Sequence, residues 1–173
     1  MTESAARATE PDDLARACAQ AMFDADTASR TVGMQIVDVG PGRATVRMAV
    51  SDQMLNGHGI GHGGYTFMLA DSAFAFACNS YDVATVAAAC DIVFLAPTRA
   101  GDVLEAAAAE RHRGARRGIY DVTVTRVNAE PAEVVAQFRG ISQSTKDPVL
   151  GRTTKGAQPA EKGAQRSEGE PTR

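Results

Sequence analysis

The sequence predicts an α+β fold, one long hydrophobic helix packed against a sheet of about six antiparallel strands. Three observations carry that expectation. Residues 65–80 are apolar on every side, as only an enclosed helix is. Segments on either side of them alternate apolar and polar residues with the period of two that half-buried strands require. The chain has 173 residues, enough for one domain with a real core and too few for two ordinary ones.

The elements follow in order. Residues 1–11 are small and polar and are expected to be disordered. A first helix starts at Asp12 or Asp13, either of which can cap it, with Leu14, Ala17, Cys18, Ala21 and Met22 at helical spacing. A hairpin comes next. Met34, Ile36 and Val39 lead into the turn signal Gly40-Pro41-Gly42, and the return strand sets Ala44, Val46, Met48 and Val50 against Arg43, Thr45 and Arg47. Residues 56–64 form a glycine-rich loop, and the apolar helix follows directly. Four more strands are expected at residues 85–95, 103–112, 119–127 and 134–142. Residues 104–111 also carry helix propensity, but the short turns on both sides favour a strand. The domain is expected to span residues 12–145. From Lys146 onward polar and small residues dominate, with Val149 and Leu150 the last aliphatics larger than alanine, and a disordered tail is expected.

Bulk properties exclude several function classes. A formal charge of −3 with interspersed signs offers no basic footprint for nucleic acid and no anchor for an acidic membrane. No apolar run reaches the roughly 18 residues that would span a bilayer. Three cysteines without C-x-x-C spacing argue against a disulfide framework or zinc ribbon and fit a reducing cytoplasm. His58 and His62 are four apart, but the glycines around them preclude a helix and no third ligand is apparent, so no metal or other cofactor is expected. Cys78 and Cys90 sit in apolar runs and read as core. No G-x-S-x-G marks a serine nucleophile.

One residue stands out. Asp71 is the single charge in residues 65–80, with Phe67, Met68, Phe74 and Ala75 as its helical neighbours. A mid-helix aspartate ordinarily faces solvent or pairs with an arginine. Here Thr66 and Ser72 are the sole other polar residues before Asn79, which favours a functional carboxylate. Loss of hydration favours the neutral acid and makes its conjugate base stronger. Gly63 and Gly64 open the helix, where unpaired N–H groups and the positive dipole end suit a carbonyl oxygen gaining charge. The two features lie eight residues apart, about 12 Å along a helix. One reacting carbonyl cannot meet both on the same helix, so a homodimer with sites shared between copies is expected. His62 either orients substrate or makes a plain loop contact.

The stretch Asn56-Gly57-His58-Gly59-Ile60-Gly61-His62-Gly63-Gly64-Tyr65-Thr66-Phe67-Met68-Leu69-Ala70-Asp71, followed by Phe76-Ala77-Cys78-Asn79-Ser80, resembles the phenylacetyl-CoA thioesterase family of hotdog-fold hydrolases. The likeness runs from about residue 21 to residue 144 and includes Gly118-x-Tyr120-Asp121 and Phe138-Arg139-Gly140. It implies a sheet wrapped around the central helix and a tetramer built as a dimer of dimers. It implies Asp71 as base or nucleophile and the Gly63 N–H as carbonyl-polarising group from the facing subunit. It also implies that Asn56 and His62 orient substrate or water, with Gly64 and Phe67 as further substrate contacts. The partner is then an acyl-CoA. An aryl-acetyl group fits a site lined by Phe67, Met68 and Phe74. Arg111, Arg113, Arg116 and Arg117 form either a rim for CoA phosphates or a solvated hairpin. Two departures mark this chain. Ala96 precedes Pro97 where many relatives carry arginine, and Ala87-Ala88-Ala89 occupies a region where relatives often place a neutral hydrogen-bonding residue. Competing readings are an enoyl-CoA hydratase or dehydratase on the same fold and a non-enzymatic acyl-CoA binding module.

Overall fold

Alternation in the sequence becomes a sheet because each strand has one apolar side to hide. In the computed structural model, which describes residues 11–151, β1 (Gln35–Gly40) and β2 (Arg43–Ala49) form the expected hairpin. Ala44, Val46 and Met48 of β2 are buried and Arg43 and Arg47 exposed. The remaining strands are β3 (Thr85–Phe94), β4 (Val103–Arg113), β5 (Arg117–Arg126) and β6 (Glu133–Ser144). Among the described residues the sheet has six strands, all neighbours antiparallel, in the order β1-β2-β4-β5-β6-β3. The helix-prone segment 104–111 is a strand: Leu104, Ala106 and Ala108 turn inward, and β4 pairs along its length with both β2 and β5. Tertiary pairing overrides the local preference.

The long helix α3 (Gly63–Cys78) lies against this sheet, touching all six strands. Leu69, Ala70, Ala73, Phe74, Phe76 and Ala77 are buried. Phe74 packs on Tyr120 and Phe138 of the sheet, with ring centroids at 5.5 and 5.9 Å. Gly140 permits this approach, since a Cβ there would stand 2.8 Å from the Phe74 ring.

Helix α1 (Pro11–Ala25) and the short α2 (Thr27–Thr31) complete the layer. Pro11 begins α1, so Asp12 and Asp13 lie in its first turn and neither caps it. The buried residues are Ala15, Cys18 and Ala19; Cys18 was expected, Leu14 and Met22 pack partly buried against the core, and Ala17 is exposed. Small side chains sit where the helix packs on β1 and α3. Asp26 starts α2, its Oδ1 accepting from Ser29 N at 3.0 Å.

Residues 145–150 lie against the rest of the fold. Ala84 N donates to Asp147 O and Leu150 N to Asp82 Oδ1, at 2.8 and 2.9 Å, and Val149 is buried beside Cys18 and Ala84. One buried aliphatic, two backbone–backbone bonds (Thr145 N to Ala84 O is the second) and one backbone-to-carboxylate bond dock this stretch. The expectations for residues 1–10 and 152–173 lie outside the described residues. None of the helices described is long and apolar enough to cross a membrane.

Candidate active site

The glycine loop is folded back on itself before α3 begins. Asn56 N donates to Ile60 O at 2.8 Å, and Asn56 Oδ1 accepts from His58 N at 2.9 Å. Gly61 N reaches Thr98 O at 2.7 Å, and His62 N reaches Met54 O at 2.8 Å. His62 then caps α3, its Nδ1 accepting from Gly64 N at 2.9 Å. With Nδ1 an acceptor, the neutral ring carries its proton on Nε2. The Gly64 N–H is thereby engaged within the fold. The Gly63 N–H, in contrast, has no acceptor among the described residues. The Phe94 ring lies over Gly63, where a Cβ would come within 2.9 Å of it. Gly63, Asn56, Thr66, Phe94 and Leu95 border an open cleft of about 450 Å3.

Two turns further along α3 is Asp71. It is half-buried, and desolvation holds its carboxyl above the usual carboxylate range, opposed by a contact from the Cys90 thiol, whose Sγ is 3.9 Å from Oδ1. No cation pairs with it among the described residues. Burial and the neighbouring carboxylate both push the Cys90 thiol up, so it stays protonated and donates. Cys90 reads as core in the sequence, where Ala87-Ala88-Ala89 offers no hydrogen-bonding side chain; in the fold its thiol supplies one. The β3 register shifts between Ala87 and Ala89. Without that shift, the alternation that turns Thr85 inward would turn Asp91 inward as well; with it, Asp91 is exposed and Cys90 faces the helix.

Asp71 does lie on a stripe that the chain leaves uncovered. Tyr65, Met68, Asp71, Ser72 and Ala75 are all only partly buried, so α3 is enclosed by its own sheet on one side alone. Asp71, Ser72 and Ala75 border a second cavity, about 530 Å3, which runs to Met22 and Ala25 of α1 and Val86 of β3. The cleft at Gly63 and the cavity at Asp71 share no lining residue. A single chain therefore keeps the Gly63 N–H and the Asp71 carboxylate apart.

Other expected contacts resolve differently. Phe67 packs edge-on against Phe138 at 5.4 Å and Phe74 is 1% exposed, so neither ring borders the Asp71 cavity. The arginine rim is partly spent within the fold. Arg111 and Arg139 both bind Asp121, whose carboxyl is held below its usual range chiefly by Arg139, and Arg113 stacks 3.9 Å over the Tyr81 ring. No group of three or more His, Cys, Asp or Glu side chains among the described residues is placed to hold a metal.

Comparison with known proteins adds independent weight. The thioesterase superfamily profile matches residues 58–132. The acyl-coenzyme A thioesterase PaaI of Escherichia coli is 48% identical over 124 residues, covering 72% of this chain and 86% of that protein. The solved structure of E. coli PaaI superposes with a TM-score of 0.77 at 42% identity, covering 80% of this chain and 99% of that one. A variant of the phenylacetic acid degradation protein PaaI of Thermus thermophilus gives 0.65 at 33% identity, covering 69% and 100%. A Streptococcus mutans protein solved with acetyl-CoA bound gives 0.62 at 28% identity, covering 66% and 90%.

Proposed function

The chain belongs to the thioesterase superfamily, in the branch of the PaaI acyl-CoA thioesterases, and on that premise we propose that it hydrolyses acyl-CoA thioesters at a site shared between two copies, with Asp71 as the base. The carrying observation is the state of that carboxylate: half-buried, without a cation, raised in basicity by desolvation, on the uncovered stripe of α3. Asp71 takes a proton from water as the oxygen attacks the thioester carbon. The carbonyl oxygen, now negative, accepts from the free N–H of Gly63 in the second copy. Collapse of this intermediate breaks the C–S bond, and the proton held by Asp71 passes to the departing CoA thiolate. Free acid and CoA result. His62 and Asn56 shape the loop that presents Gly63.

The sheet edge supports the shared site. β3 is the terminal strand, ten residues long, without Lys or Pro, and Val86 and Phe94 on it are 55% and 52% exposed. Such an edge invites pairing. Antiparallel addition of a second copy along β3 runs the Val86 end of one against the Phe94 end of the other. Val86 borders the Asp71 cavity and Phe94 the Gly63 cleft, so pairing would bring the two half-sites together. A homodimer is the minimum working unit, and a homotetramer of two such dimers the full assembly. Release of free thiol from a panel of acyl-CoAs, with wild type beside Asp71→Asn, tests the reading. Thiol release by wild type and a loss of roughly 10²–10⁴-fold in kcat for the variant are expected. Wild type without release above background, or hydration of crotonyl-CoA instead, would overturn it.

A further inference from the structure

The Gly63 N–H can serve a reaction only if the loop that presents it is held in place, and that loop has little stiffness of its own. Glycines at 57, 59, 61, 63 and 64 leave its backbone with few steric limits. It is anchored from outside, by Gly61 N on Thr98 O at 2.7 Å and His62 N on Met54 O at 2.8 Å. Thr98 is buried in the connection from β3 to β4, residues 95–102, and a Cβ at Gly61 would run into its Oγ1. Leu95, Ala96, Pro97 and Thr98 of that connection border the same cleft as Gly61 and Gly63. One side chain ties the connection down. Arg126, the last residue of β5, reaches three segments with one guanidinium. Nε donates to Asp102 Oδ2 at 2.8 Å, Nη1 to Glu133 Oε2 at 2.5 Å and Nη2 to Pro97 O at 2.5 Å. Asp102 Oδ2 also accepts from Arg99 N at 2.8 Å, which closes residues 99–102 into a turn. Arg126 and Asp102 form the least exposed ion pair among the described residues, at 18% and 16%.

We propose that Arg126 is a positioning residue for the oxyanion donor, an inference that rests on the thioesterase reading and its shared site. By clamping residues 95–102 it holds the glycine loop, and through that loop the Gly63 N–H, where the thioester oxygen gains charge. Arg126 touches neither substrate nor reacting atoms; its effect reaches them through Pro97, Thr98 and Gly61. A pair drawn this far out of water contributes little net stability, because desolvation offsets its attraction. A planar fork nevertheless fixes three acceptors at once, which a lysine ammonium on a flexible stem does not. Since Gly63 serves the carboxylate of the second copy, Arg126 of one chain supports catalysis at Asp71 of the other and not at its own.

Arg126→Met and Arg126→Lys are assayed with phenylacetyl-CoA and hexanoyl-CoA, each below its own Tm. A displaced donor weakens the transition state and scarcely alters the ground state. In Arg126→Met kcat should fall about 10–100-fold while KM stays within about threefold. Arg126→Lys keeps a cation for Asp102 without the reach to Pro97 O, so it should fold like wild type and still lose about tenfold in kcat. It decides the matter should Arg126→Met not fold. The variant is then co-expressed with Asp71→Asn, and mixed assemblies are captured through a separate tag on each chain. One of the two sites in a mixed dimer joins an intact Asp71 to an intact glycine loop. Activity should return to at least about a quarter of wild type, with neither parent above about a tenth. Wild-type kcat in the folded variants, a loss confined to KM, or mixed assemblies no more active than their parents overturns this inference alone and leaves thioester hydrolysis standing. Wild type inert towards the whole acyl-CoA panel defeats the proposed function and this inference together.

Discussion

The two faces of α3 are drawn from nearly the same set of residues and do opposite things. The face towards the sheet, with Leu69, Ala70, Ala73 and Phe74, is buried, and Phe74 packs on Tyr120 and Phe138 of the strands. The other face, with Tyr65, Met68, Asp71 and Ala75, is scarcely more polar, yet its own chain leaves it partly open. Apolarity on the first face is satisfied within one copy. On the second it is not, and the one charge of the helix sits there. The contrast teaches that a helix apolar all round need not be enclosed by its own fold. Half of its surface can be meant for what arrives later, a second copy and a substrate.

Substitutions separate the faces. Asp71→Asn should have the largest effect on turnover, as above, and should leave the fold intact or firmer. The sign follows from the raised carboxyl. A folded-state pKa above the unfolded value means the charged form costs stability at neutral pH, a cost that disappears as pH falls below the unfolded value. Thermal unfolding at pH 7 should therefore show an unchanged or higher Tm for Asp71→Asn; a lower Tm would mean the carboxylate holds the fold together. Leu69→Ala, on the covered face, should act through stability alone, costing about 2–5 kcal/mol. At roughly 2–4 °C per kcal/mol its Tm drops clearly. Assayed below that Tm, kcat should stay within a few-fold of wild type; a collapse of kcat in folded protein would erase the distinction.

The edge of β3 sharpens the comparison next. Val86→Lys with Val93→Lys places two charges on exposed positions of a strand whose pairing the proposal needs. Sedimentation should show monomer, and hydrolysis should fall with dissociation. A monomer as active as wild type would put the whole site in one chain. The smallest effect is expected at Cys90→Ala. Its thiol favours the charged form of Asp71, so its removal moves the acid limb of the kcat/KM profile to higher pH. A limb that stays in place would make Cys90 mere packing.

Much of this was legible in the residues themselves. Alternation and turn signals located six strands because a half-buried strand must repeat every two residues. Asp71 and Gly63 were visible because a charge within an apolar helix and a glycine at its start are anomalies of composition. What escaped was set by phase and by contacts distant in sequence. The bulge in β3 turns Cys90 inward, the cap by His62 engages the Gly64 N–H, and Phe67 packs on Phe138. Val149 reads in the sequence as part of a polar tail, yet it is buried beside Ala84 and Cys18.

By itself, then, the order of residues determined the architecture and the chemistry-bearing groups, because periodicity and an isolated charge are local properties of a chain. Tertiary structure alone decided which face of α3 stays open, which N–H remains free, and that α1 walls the cavity beside Asp71. Those depend on residues tens of positions apart meeting in space, and no local pattern encodes them.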